Sequence, residues 1–69
     1  MKQELFEALG FTKTDLQNGT RYTTHYHGCM VTFMNGTMKV TKGKRELEET
    51  GIRDLTLRHV ERATEAVNG

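Results

Sequence analysis

Sixty-nine residues, 35% hydrophobic and 28% charged with a net charge of +1, make one small domain spanning 1–69 and exclude both a two-domain chain and a disordered tail. The single cysteine excludes an internal disulfide, and neither an apolar leader segment nor an apolar run of about 18 residues is present. A reducing compartment, the cytoplasm, is therefore expected, with no membrane association. The small net charge hides a polarity: residues 1–45 hold seven Lys or Arg against three acids, and residues 46–69 hold three against six.

Taken in chain order, Lys2 to Leu9 reads as a short helix with Leu5, Phe6 and Leu9 on one side. Gly10 stops it, and Phe11 supplies the apolar residue that follows a Schellman cap. Between Phe11 and Thr20 the signals conflict. Asn18-Gly19 is a possible hairpin turn that would make Phe11 to Gln17 an extra strand, but its register puts Phe11, Lys13 and Asp15 on one face, which favours a loop or an irregular edge strand.

Thr20 to Lys42 reads as three short strands joined by two glycine turns. Asn35-Gly36 is the stronger turn signal and His27-Gly28 the weaker, since a type I′ turn needs positive φ at both central residues. The first turn sets Phe33 opposite Met38 and Val31 opposite Val40. The second sets Tyr26 opposite Cys29, Thr24 opposite Val31 and Tyr22 opposite Phe33. Both assignments agree on one apolar face of Tyr22, Tyr26, Cys29, Val31, Phe33, Met38 and Val40, with Thr24 its only clearly polar member. The other face carries Arg21, Thr23, His25, Met30, Thr32, Met34, Thr37, Lys39 and Thr41.

Lys44 to Thr50 reads as two helical turns ended by Gly51, with Ile52 packing back. Asp54 is the expected N-cap of a last helix reaching about Val67, with Leu57, Val60, Thr64 and Val67 at helical spacing. The expected fold is α+β in two layers: a three-stranded antiparallel meander, or four-stranded if residues 11–20 add one, with N-terminal and C-terminal helices on one face in the order α-β-β-β-α.

The chain lacks Ser altogether, and no nucleophile with a base, paired carboxylates or phosphate loop can be assembled from it. His25, His27 and Cys29 alternate as metal ligands would, but the hairpin reading sends them in different directions, so no metal and no cofactor are expected. Lys39, Lys42, Lys44 and Arg45 form a basic run that either holds phosphate oxygens or is solvated. Met30 and Met34 on the polar face suit adaptable protein contacts or a second subunit.

The opening KQELFEALGF is similar to the first helix of the HicA-type mRNA interferase toxins, and VTKGKRELEETGIRDLTLRHV resembles their strand, Gly-Lys connection and final helix. The helix, three strands, helix order also resembles double-stranded-RNA-binding domains. The resemblance implies an RNA-cleaving activity resting on a His after a Gly-Ser step. Here Gly19-Thr20-Arg21 stands at that step, so the His is unmatched and His25 is the only nearby substitute.

The expected function is that of a small non-catalytic binding protein acting stoichiometrically on a larger protein or nucleoprotein complex, such as a phage or mobile-element inhibitor of a nucleic-acid-handling complex. The expected contact surface is Thr23, His25, Met30, Thr32, Met34 and Lys39, extended by Lys42, Lys44 and Arg45. The alternatives are a HicA-like RNase using His25, with Arg21 and the lysines on phosphate, and a direct RNA or DNA binder. A homodimer is compatible with each.

Overall fold

The computed structural model describes all 69 residues. In chain order the elements are α1 (Gln3–Leu9), β1 (Thr12–Leu16), β2 (Gly19–Tyr26), β3 (Cys29–Met34), β4 (Thr37–Lys42), β5 (Arg45–Glu49) and α2 (Leu57–Asn68). The strands form one five-stranded antiparallel sheet in sequence order, so the fold is α+β with five strands in place of the expected three or four.

The register starts from the turns. His27 and Gly28 have φ of 50° and 76°, and Asn35 and Gly36 have 49° and 77°, the pairs of left-handed residues that a type I′ turn requires. Tyr22 pairs with Phe33, Val31 with Val40 and Phe33 with Met38. The apolar face is as the two turns imply: Cys29, Val31, Met38 and Val40 are fully buried and Phe33 nearly so. Tyr22 and Tyr26 lie half-buried at its margin, with the Phe6 ring edge-on to Tyr22 at 5.9 Å.

Both extra strands come from segments where local signals pointed elsewhere. The turn before β2 is Gln17-Asn18, with Leu16 opposite Gly19, so it sits one residue earlier than Asn18-Gly19. Pairing shifts by two residues and the faces are unchanged. Gly19 opens β2 at φ 145°, and a Cβ there would come within 2.7 Å of the Asn35 side-chain oxygen. The glycine serves close approach of two neighbouring turns. Phe11 is buried while Lys13 and Asp15, on the same face, reach past the helical cover into water.

Lys44 to Thr50 is not helical. Gly43, at φ 60°, begins a two-residue loop that sets Lys42 opposite Arg45 and Val40 opposite Leu47. Glycine at the first loop position is the requirement of a type II′ hairpin. Leu47 is the only apolar residue of this segment, so a helix would bury little there. As a strand it extends the core sheet and satisfies the outer main-chain groups of β4.

The helices cover one face. Helix α1 ends as its sequence predicts: Gly10 is left-handed, its N–H bonds to Glu7 O, and Phe11 N–H bonds to Phe6 O at 3.1 Å. This is the Schellman pattern. Thr24 anchors that helix end to β2, its hydroxyl donating to Leu9 O at 2.6 Å. Helix α2 lies across β3, β4 and β5. Its N-cap is Thr56, not Asp54, and His59 replaces the usual Glu of a capping box: Thr56 N–H donates to His59 Nδ1 at 3.0 Å, and His59 N–H donates to Thr56 Oγ1 at 3.4 Å. Leu55 precedes the cap and joins Val60 in the core, so Leu55 is 1% exposed while Leu57, expected inside, is 43% exposed.

Asp54 instead lies 2.9 Å from the Met1 amine. The hydrogen bond from that amine holds its carboxyl below the usual carboxylate range, against desolvation and with help from the charges of the amine, Lys2 and His59. The resulting stabilisation is present above the ordinary carboxylate range and is lost as pH falls through the lowered value. Ile52 packs into the core and ties the β5–α2 connection to the hairpin, its N–H bonding to Gly36 O at 2.9 Å.

Thr24→Val keeps the shape at position 24 but leaves Leu9 O without its donor. Urea unfolding should show a loss of about 1–3 kcal/mol; a change within about 0.5 kcal/mol would mean that the bond does not anchor α1. Gly43→Ala, with open space around the new methyl, should cost about 1 kcal/mol. Gly36→Ala should cost more, because its Cβ would also meet Ile52 O at 3.2 Å.

Candidate functional site

With both helices on one side, the other side of all five strands is left uncovered. The pairing arranges its side chains in rows. One row runs Thr12, Thr23, Thr32, Lys39, Glu48 and the next runs His25, Met30, Thr41, Glu46, each member opposite its neighbour on the adjoining strand. Flanking the first row are Thr14 opposite Arg21, and Met34 opposite Thr37. β-Branched threonines stand straight off a pleated surface and favour its extended form. A shallow depression of about 290 Å³ lies among Arg21, Thr23, Met30 and Thr32.

Six of the nine expected contact residues, Thr23, His25, Met30, Thr32, Met34 and Lys39, share this face. Met30 is 42% exposed and Met34 half-buried. Lys39 Nζ lies 3.6 Å from a Glu46 carboxylate oxygen, an exposed pair of small energetic weight. Glu48 stands opposite Lys39, and Arg21 has no acid across from it.

The rest of the expected basic extension gathers beside the end of α2. Lys42 and Arg45 face the helical side, where they serve the carboxyl end of α2. Lys42 Nζ donates to Asn68 Oδ1 at 2.6 Å, Asn68 Nδ2 donates to His27 O at 3.1 Å, and an Arg45 guanidinium N–H donates to Val67 O at 2.8 Å. Cations at a helix C-terminus offset its partial negative charge and complete its last carbonyls. Lys44 is the second residue of the β4–β5 loop and is exposed. Lys42, Lys44 and Arg45 together line a depression of about 380 Å³ with Val67 and Asn68, while Lys39 stands apart on the open face.

His25, His27 and Cys29 point three ways. His25 is on the open face, His27 is at the turn with its ring edge-on to Tyr26 at 4.2 Å, and Cys29 is inside with no exposure. Arg21 and His25, paired in role by the resemblance to RNases, stand four residues apart on one strand, about 13 Å along it. His25 is opposite Met30, with no acidic or basic side chain directly across from it.

Glu46 and Glu48 belong to the open face; the sequence reading has them partly neutralising the basic run from a helix and does not place them there. The Gly43-Lys44 loop is the signal that could have found them, since a two-residue hairpin there sets Glu46 against Thr41 and Glu48 against Lys39. Asn68 likewise gave no sign of its role, which depends on contacts 26 and 41 residues away. No helix is long and apolar enough to cross a membrane. No protein-family model, curated protein or solved structure matches this chain.

Lys42→Ala and Arg45→Ala should each lower stability by about 0.5–1 kcal/mol through the end of α2. Lys44→Ala should stay within about 0.5 kcal/mol of the parent. Thermal unfolding of the three variants checks this; equal effects would contradict the bonding of Lys42 and Arg45 to that helix end.

Proposed function

We propose that the protein is a non-catalytic binding protein whose open sheet face seats a protein partner stoichiometrically. The observation that carries this reading is the arrangement of that face: five strands wide, uncovered, with Met30 and Met34 among threonines. Methionine adapts its shape to a partner, while the threonines supply hydroxyl donors and acceptors at low conformational cost. A protein is favoured over RNA or DNA at this face because Lys39 is paired with Glu46 and stands opposite Glu48, which leaves Arg21 as the cation without an acid across from it. A phosphate backbone calls for cations that are not neutralised in place.

Thr23, His25, Met30, Thr32, Met34 and Lys39 form the contact surface in this proposal, and Lys44 lies apart from it, in the depression beside the end of α2. Lys42 and Arg45, engaged with α2, act as structural residues. We extend the proposal to the partner's class on the strength of size and design: a component of a nucleic-acid-handling complex, with this chain acting as an accessory or inhibitor of the mobile-element kind.

A photoreactive residue placed at Thr32 should form one discrete adduct of stoichiometric mass in the producing cells. The same residue at Glu61, exposed on α2 in the depression beside His27, should form none. Adducts from Glu61 and none from Thr32 would overturn the assignment of the face. Two further outcomes would replace the reading: duplex RNA binding that falls steeply with salt and is lost in Lys44→Glu, or growth arrest on expression that is lost in His25→Ala.

A further inference from the structure

The two edges of the sheet are chemically unlike. β5 carries Glu46, Glu48 and Glu49 against Arg45. If it paired antiparallel with itself about Leu47, Glu46 would stand opposite Glu48 of the second copy, twice over by symmetry. Like charges in that position repel, and such charging is how natural sheets close an edge to further strands.

β1 has the opposite character. Its sequence is Thr12, Lys13, Thr14, Asp15, Leu16, and only β2 pairs with it. Self-pairing about Thr14 sets Lys13 opposite Asp15 of the second copy and Asp15 opposite its Lys13. Both ion pairs fall on the helical side, where Lys13 and Asp15 are exposed beyond the helices. On the open side Thr14 meets Thr14, and Leu16, 38% exposed, meets Thr12. Asp15 is already oriented, one carboxylate oxygen accepting from the Thr20 hydroxyl at 3.1 Å and the other left for a cation. Ladder alternation leaves the main-chain groups of every second β1 residue directed outward.

We propose that a second copy of this chain pairs antiparallel along β1, with the two-fold axis at Thr14, giving a ten-stranded sheet. The axis stands perpendicular to the sheet, so both open faces lie on the same side and join into one surface twice as wide. The proposal is independent of what that face binds. Pairing five residues a side makes a small interface, so the dimer is filled by mass action at high protein concentration.

Sedimentation equilibrium over a concentration series should show the mass rising from 7.9 kDa toward twice that value and stopping there. Lys13→Glu and Asp15→Lys should each weaken association by at least about tenfold, since the symmetry places two like-charge contacts in either variant. Mixing the two variants in equal amounts should restore the dimer, because both cross-strand pairs then become opposite in charge. Thr14→Cys should form an intermolecular disulfide under mild oxidation and Thr12→Cys should not, with Cys29 too deeply buried to compete. A mass fixed at the monomer, open-ended growth, a dimer indifferent to both reversals, a mixture no better than its components, or equal cross-linking at Thr12 and Thr14 would each overturn the proposal. Circular dichroism of the variants, all at exposed or half-exposed positions, separates loss of pairing from loss of fold.

Discussion

Two pairs of residues held in left-handed backbone geometry, His27-Gly28 and Asn35-Gly36, set the alignment on which the remainder of the molecule is built. A type I′ turn carries the same right-handed twist as the strands that it joins, so each pair admits one tight register and no other. With both in place, Val31 lies between Thr24 and Val40, and Phe33 between Tyr22 and Met38. Later contacts attach to this frame. Ile52 bonds to Gly36, the Asn35 side chain reaches Asn18, and Leu9 accepts from Thr24. A slip of one residue in either turn would place methionine and threonine where valine and cysteine now pack.

The helices are too few and too one-sided to cover two faces. The buried positions of α2 are Val60, Ala63, Thr64 and Val67, one stripe that can rest on only one surface. Helix α1 brings Leu5 and, through its cap, Phe11 to the same layer. The opposite face remains in water because nothing in the chain is left to cover it, and its β-branched threonines favour the extended form there. Arrangement and composition together support reading it as a contact surface. The Thr24 and Thr64 hydroxyls, the polar side chains inside the core, are both satisfied by helix carbonyls.

Charge illustrates how far one-dimensional spacing is from spatial grouping. Lys39, Lys42, Lys44 and Arg45 fall within seven residues, yet strand alternation puts Lys39 on the open face and the other three beside the end of α2. Lys39 meets Glu46 on the open face, while Lys42 and Arg45 complete the end of a helix that begins a dozen residues later. The resemblance to three-stranded RNases meets the same obstacle. Its Gly-Lys connection is here a hairpin loop, and the residues after it add a fifth strand.

The sequence by itself determined the α+β class, the three central strands with their register and two faces, and the Schellman end of α1. Each of these follows from contacts a few residues apart, where glycine stereochemistry and a two-residue period leave few choices. The identity of Lys44 to Thr50 was decided only in the tertiary structure. Its Lys and Glu residues favour helix locally, and the open edge of β4 outweighs them by offering a ladder of hydrogen bonds and a place for Leu47. The same holds for β1, whose mixed face makes sense only once the short reach of α1 is known. Leu55 and Leu57 stand one residue either side of the Thr56 cap. Once the N-cap is Thr56 and not Asp54, the pattern of an apolar residue before the cap joining Val60 in the core puts Leu55 inside and leaves Leu57 exposed. The basic run was legible as charge, but the separation of Lys39 from Lys42, Lys44 and Arg45 was not, because it depends on a turn type and on Asn68, far along the chain.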